Sequence, residues 1–193
     1  FDNPAEDWRP LIGQALDEAG FLWPGIRPGL SFEDIFSFAP RPAQKAFYEA
    51  ANGPGVFVLE APMGLGKTEA ALYAAYRMLE QKKSSGIYFA LPTQLTSNRI
   101  HGRVNAFLDR ILEAGGSALL LRGMAWLERF RQQRMGGEAE PNQAWFSAGR
   151  RGILAPFGVG TVDQALLSVL RVRHSSLRSF GLAGKTVILD EVH

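Results

Sequence analysis

The sequence predicts an α/β domain built on a mostly parallel sheet with helices on both faces. Three observations carry that expectation. Short, nearly continuous apolar runs at 56–59, 87–91 and 186–189 read as strands buried on both sides. Stretches with helical apolar spacing lie between them, and turn residues such as Ser84-Ser85-Gly86 mark the joints. Strands that alternate with helices need crossover connections, which build parallel sheets. At 193 residues, 46% hydrophobic and 21% charged, the chain is one ordinary domain or a domain with an appendage. Disordered, collagen-like and disulfide-scaffold classes are excluded.

Residues 1–40 are rich in aromatic residues and prolines, among them Trp8, Phe21, Trp23, Pro24, Phe32, Phe36 and Phe38, with one amphipathic stretch at 11–19. They are expected as an irregular, packed lead-in, and residues 41–193 as the main domain. A helix should start after Arg41, because Pro42 in its first turn loses no needed hydrogen bond, and should end at Asn52-Gly53. A strand is expected at 56–59. A helix over 67–81 would place Leu72, Ala75, Tyr76 and Leu79 on one face, with Tyr73 and Tyr76 as core. Strand 87–91 leads to a helix at 94–113 carrying Leu95, Val104, Leu108, Ile111 and Leu112, then to a strand at 118–121 and a helix at 125–135. Residues 136–148 have loop composition. A strand at 153–155 is expected to run through Gly158-Val159-Gly160 into a helix at 162–170, and a strand at 186–189 closes the series.

Cysteine is absent, which removes disulfides, zinc-thiolate clusters and thiol nucleophiles and suits a cytoplasmic location. No run is long and apolar enough for a membrane helix, so no membrane association is expected. The net charge of +2 hides an uneven distribution: residues 1–60 carry nine acids and four bases, residues 61–193 ten acids and seventeen bases. From Arg99 to Arg178 there are twelve Arg, no Lys and six acids. Arginine favours bidentate phosphate contact, so this region fits a polyanionic partner or, equally, a solvated surface with local ion pairs.

The sharpest motif is Ala61-Pro62-Met63-Gly64-Leu65-Gly66-Lys67-Thr68. It matches a phosphate-binding loop with Ala in place of the first glycine, set between an apolar run and a helix. Gly64 and Gly66 let the backbone curl so that N–H groups of the loop, Leu65 included, face a phosphate at the positive end of the helix dipole. Lys67 would neutralise the β- and γ-phosphates, and Thr68 would offer a hydroxyl to Mg²⁺. A second motif, Asp190-Glu191-Val192-His193, follows the last strand at the carboxyl edge of the sheet, where α/β folds bind ligands. Asp190 would hold Mg²⁺ and Glu191 would polarise the attacking water. Neighbouring strand residues face opposite ways, so both acids reach one site only if the chain turns there.

Taken together these motifs resemble a superfamily-two DExH helicase or translocase in its first RecA-like motor domain. Gln44 with Arg41-Pro42-Ala43 looks like the glutamine motif that reads the adenine edge. The loop at 61–68 is similar to motif I and residues 190–193 to motif II. Residues 90–99, Ala-Leu-Pro-Thr-Gln-Leu-Thr-Ser-Asn-Arg, look like motif Ia, and residues 158–167 like motif Ic. The wording of these two, with Leu154-Ala155-Pro156-Phe157 ahead of Gly158, resembles the CRISPR-associated helicase-nuclease family of type I systems. The resemblance covers about residues 41–193.

The family implies ATP and Mg²⁺ as cofactors, and single-stranded DNA pulled 3′ to 5′ after recruitment by an RNA-guided surveillance complex. It implies backbone contacts to nucleic acid from Pro92, Thr93, Gln94, Arg99, Gly160 and Thr161, and a coupling role for His193. Thr93 and Thr161 are equally placed to cap helices, and the two roles can coexist. Trp145 and Phe146, beside Arg150 and Arg151, fit base stacking or local packing. A metal-dependent nuclease centre is not expected in this chain, whose only histidines are His101, His174 and His193 and which has no His-Asp dipeptide. The chain opens on Phe1 and stops at His193, immediately after motif II, so it is expected to be an excerpt of a longer motor. Two other readings remain: another DExH helicase acting on RNA or repair intermediates, and a non-catalytic module that binds ATP and a partner.

Overall fold

Ile87-Tyr88-Phe89-Ala90-Leu91 has no charge and one polar group, the Tyr88 hydroxyl, and it forms a fully enclosed strand of the sheet. In the computed structural model, which describes residues 23–92, 94–113, 119–120, 149–170 and 175–190, every residue of this strand is buried. The elements in chain order are α1 (Phe32–Phe36), α2 (Pro42–Ala50), α3 (Lys67–Glu80), β1 (Ile87–Leu91), α4 (Gln94–Ile111) and β2 (Leu119–Leu120). A 3-10 helix (Gly149–Leu154), β3 (Phe157–Thr161), α5 (Val162–Leu166), α6 (Ser175–Leu182) and β4 (Thr186–Leu189) follow. The four strands lie in the order β2-β3-β1-β4, and all three pairings are parallel.

Alternate residues of β1 feed different cores, as a strand's two-residue period requires. Ile87, Phe89 and Leu91 join Leu72, Ala75, Tyr76 and Leu79 of α3, Val104, Phe107, Leu108 and Ile111 of α4, and Phe157 and Val159 of β3. Tyr88 and Ala90 join Ile153, Leu154, Ala155 and Ala165 on the other face. Each large side chain sealed in this way contributes about 1.5–3 kcal/mol of hydrophobic free energy. Tyr76 is core, as its helical spacing predicts, and Tyr73 packs against the same cluster.

Part of the lead-in belongs to that core. Ser31 caps α1 through a reciprocal pair with Asp34: Asp34 N–H donates to Ser31 Oγ, and Ser31 N–H donates to Asp34 Oδ2 at 2.7 Å. This short helix buries Phe32 and Ile35. Phe32 stacks at 6.0 Å on Tyr48 and meets Tyr73 edge-on at 5.3 Å.

Strands 87–91 and 186–189 and the starts of the helices at 42, 67 and 94 stand where the sequence places them. Three expectations are corrected. Residues 56–59 form no strand: Val56 is 93% exposed and Val58 76%, and no described strand pairs with them. Residues 153–155 are not a strand either. Ile153 and Leu154 end the 3-10 helix, and β3 starts at Phe157 because Pro156 has no N–H for a ladder. Its carbonyl is used instead, accepting from Ile87 N–H at 2.9 Å. The helix expected at 162–170 stops at Leu166. The expectations at 11–19, 125–135 and 136–148, with Trp145 and Phe146, lie outside the described residues. Among the described residues no helix is long and apolar enough to cross a membrane.

Candidate phosphate-binding site

The loop between residue 60 and α3 turns on its glycines. Gly64 and Gly66 both have φ of 77°, a left-handed conformation that only glycine adopts without cost. The first residues of α2 hold this loop from outside. Arg41 Nη1 donates to the Gly64 carbonyl at 3.0 Å, and Gln44 Nε2 donates to the Gly66 carbonyl at 2.8 Å. Gln44 Oε1 accepts from Arg41 N–H at 2.8 Å, and the side chain is buried. Its amide therefore braces the loop. Lys67 folds back over the loop, its Nζ donating to the Ala61 carbonyl at 2.7 Å and the Pro62 carbonyl at 3.4 Å. These partners are neutral carbonyls, and an anion in the cavity would offer the ammonium a charge-paired one.

Thr68, the second residue of α3, meets Asp190 across 122 residues of sequence: its Oγ1 donates to Asp190 Oδ2 at 3.1 Å. Asp190 stands one position beyond β4, and its N–H donates to the Ala90 carbonyl at 3.1 Å, continuing the β1–β4 ladder to the carboxyl edge. A cavity of about 290 Å³ opens here, lined by Met63, Gly64, Gly66, Lys67, Thr68, Glu69, Ile100, Arg103 and Asp190. Its loop amides and ammonium can donate to phosphate, and the oxygens of its hydroxyl and carboxylate suit a hard cation. Among the described residues no cluster of three or more acids, histidines or cysteines could hold a metal without such a ligand.

The other motif residues share the same edge of the sheet. Register pairs Ala90 with Gly160 on one side and with Leu189 on the other, so Pro92, Gly160, Thr161 and Asp190 all sit at or just past strand ends. Pro92 is exposed, whereas Gly160 and Thr161 are buried. The Thr161 hydroxyl is engaged as the cap of α5, accepting from Gln164 N–H at 3.4 Å, while Gln164 Oε1 accepts from Thr161 N–H at 3.1 Å. Tyr88 reaches this corner from β1, donating to the Thr161 carbonyl at 3.2 Å; burial pushes its phenol well above the ordinary range. Gly160 leaves the room this needs, since a Cβ there would overlap the Tyr88 hydroxyl. Gln94 and Arg99 lie in the first two turns of α4. Thr93, Glu191 and His193 fall outside the described residues.

Sequence reasoning missed Arg41 as a loop brace, Glu69 and Arg103 in the cavity, and Tyr88 under the α5 cap. Gln164 had a visible signal, the Thr-x-x-Gln spacing of a capping box. Arg103 had none, because nothing local ties it to a loop far earlier in the chain.

Residues 41–193 match the family described as DEAD/DEAH box helicase. The chain belongs to that family. It is 43% identical over 202 residues to the CRISPR-associated endonuclease/helicase Cas3 of Thermus thermophilus, which covers 95% of this chain and 22% of that protein. A crystal structure of T. fusca Cas3-AMPPNP superimposes with a TM-score of 0.78 at 36% identity, over 95% of this chain and 21% of that one. A chain from a CRISPR RNA-guided surveillance complex, pre-nicking, matches with a TM-score of 0.52 at 31% identity, over 94% and 16%. The fold is thus the RecA-like helicase domain that the motifs imply, and the chain spans about a fifth of the length of the relatives it matches.

Proposed function

We propose that the chain is the ATP-binding lobe of a Cas3-type motor that translocates on single-stranded DNA during CRISPR interference. The Thr68–Asp190 contact carries this reading. It brings the hydroxyl of motif I to the carboxylate of motif II beside the cavity that the loop lines, an arrangement that a glycine-rich turn of purely structural use does not require.

In this mechanism the loop amides and Lys67 bind the β- and γ-phosphates, and Lys67 leaves the Ala61 and Pro62 carbonyls to do so. Thr68 and Asp190 would hold Mg²⁺, Asp190 chiefly through water. Mg²⁺ supplies neutralisation of the charge that develops on the transferred phosphoryl group. Glu191 orients the attacking water and takes its proton. Arg41 and Gln44 keep the loop open, so that its amides need little reorganisation when phosphate arrives. Pro92, Thr93, Gln94, Arg99, Gly160 and Thr161 are assigned to the sugar-phosphate backbone, Gly160 and Thr161 by shaping the corner that Tyr88 and Gln164 secure. Backbone contacts read no sequence, as translocation demands. His193 relays between the two ligands. The RNA-guided surveillance complex is the proposed partner that delivers opened DNA, and the cytoplasm the proposed location.

ATP hydrolysis by the full-length protein, with single-stranded DNA, with RNA and with neither, tests the proposal. Stimulation by DNA is expected. Stimulation by RNA alone would replace the substrate class, and no hydrolysis under any condition would leave an ATP-binding module.

A further inference from the structure

One charged pair in the phosphate cavity has no part in the mechanism above. Glu69 is the residue after Thr68, and its Oε1 pairs with Nη2 of Arg103 on α4. Its other oxygen lies over the loop, 3.2 Å from where a Cβ on Gly66 would stand. Both residues line the cavity with Lys67, Thr68 and Asp190. The Glu69 side chain is 19% exposed and that of Arg103 45%. An ion pair this open to solvent adds about 0–1 kcal/mol at most, so stability does not account for it.

Its position is more telling. A carboxylate beside the phosphate loop repels the ligand the loop is shaped for, unless a cation neutralises it. Arg103 does so, and a guanidinium has further N–H donors beyond the one given to Glu69. The two residues also stand on helices with different duties. The helix α3 begins at the phosphate loop; α4 begins with Gln94, two residues after Pro92 at the end of β1.

We infer that the Glu69–Arg103 pair is the link through which nucleotide in the cavity and nucleic acid at the start of α4 change each other's affinity. Incoming phosphate competes with Glu69 for the guanidinium. Any shift of Arg103 pulls on α4, whose first two turns carry Gln94 and Arg99, and nucleic acid on those turns biases Arg103 in return, because coupling is reciprocal. The inference rests on the functional reading above and adds to it the positioning residues Glu69 and Arg103.

The test is fluorescence anisotropy of a labelled oligothymidylate on the full-length protein, with and without saturating AMPPNP. The readout is the ratio of the two dissociation constants. A ratio of about 5 or more is expected for the unchanged protein, the lower end of ordinary allosteric coupling. Arg103→Ala and the isosteric Glu69→Gln should each bring it to within about twofold of one. The exchange Glu69→Arg with Arg103→Glu rebuilds the pair and should restore a ratio above about 3, which ties the coupling to the pair and not to either side chain alone; melting temperatures unchanged in both single variants separate this from a loss of fold. A wild-type ratio near one, or an undiminished ratio in both single variants, overturns the inference and leaves the functional reading standing. A wild-type protein that binds neither ligand refutes that reading and the inference with it.

Discussion

Alanine at Gly66 separates the two ways in which a glycine can matter in this loop. Gly64 and Gly66 share φ of 77°, and an L-residue in that region costs about 1–2 kcal/mol. Around Gly64 a Cβ would meet open space, so Gly64→Ala should cost only that amount. At Gly66 the new methyl would overlap Gln44 Nε2, the atom that donates to the Gly66 carbonyl. Gln44 is 2% exposed and cannot retreat to water, and breaking its bond leaves a buried amide unsatisfied at about 1–3 kcal/mol. The sum for Gly66→Ala is about 2–5 kcal/mol. Carried by the loop, it weakens nucleotide binding by roughly thirtyfold to several thousandfold, since each 1.4 kcal/mol is about tenfold. The corresponding loss for Gly64→Ala is about five- to thirtyfold. Titration with a fluorescent ATP analogue, alongside thermal melting, reads both outcomes. Adding Gln44→Ala to Gly66→Ala removes the overlap, so the pair should lose less than the sum of the singles. Equal losses for the two glycine variants, or strict additivity with Gln44→Ala, would refute the bracing role.

Lys67→Ala removes the ammonium that the loop offers to phosphate and should abolish measurable nucleotide binding in the same titration, with little change in melting temperature, because among the described residues the Lys67 side chain gives hydrogen bonds to two backbone carbonyls alone. Glu191→Gln should retain ATP binding and lower steady-state hydrolysis by at least about a hundredfold; full activity in that variant removes Glu191 from its role. Lys185 gives a pH dependence. Its Nζ donates to the carbonyls of Ile153 at 2.8 Å and Ala155 at 2.5 Å, and burial pulls its pKa down from 10.5 to about 7. Between those values the unfolded chain carries a proton that the folded chain lacks, so stability rises with pH across that window. The slope is at most about 1.4 kcal/mol per pH unit, and Lys185→Met should flatten it in denaturant titrations at pH 7 and pH 9.

Legibility differed by the kind of information each feature needs. The strands at 87–91 and 186–189 and the phosphate loop are local facts: apolar runs, two glycines and a Lys-Thr pair in order. The Thr68–Asp190 meeting was legible only because both motifs belong to one chemistry, since no periodicity links residues so far apart. Gln44 shows the limit. Its likeness, with Arg41-Pro42-Ala43, to the glutamine motif singled it out, yet where its amide points depends on packing, and here it points at a backbone carbonyl. Residues 56–59 fail for a related reason. An apolar run makes a strand only beside a partner, and β4, with Val187 39% and Leu189 47% exposed, ends the described sheet without one on its far side.

The site therefore depends on strand register as much as on its own residues. Asp190 meets Thr68 because Ala90 pairs with Leu189, and Thr161 stands beside Leu91 because Ala90 pairs with Gly160. A slip of one residue would turn every side chain of β1 to the opposite face. That slip is opposed by the unlike chemistry of the two cores: one face of β1 offers Ile87, Phe89 and Leu91 to the large, mainly aliphatic and aromatic cluster, the other offers Tyr88, whose hydroxyl needs the Thr161 carbonyl. In a slipped register that hydroxyl would enter the apolar cluster unpaired, at about 1–3 kcal/mol, and Ile87, Phe89 and Leu91 would crowd the small residues around Ala155 and Ala165. Through the Thr161 carbonyl, Tyr88 thus helps hold in register the strand to which Asp190 is hydrogen-bonded.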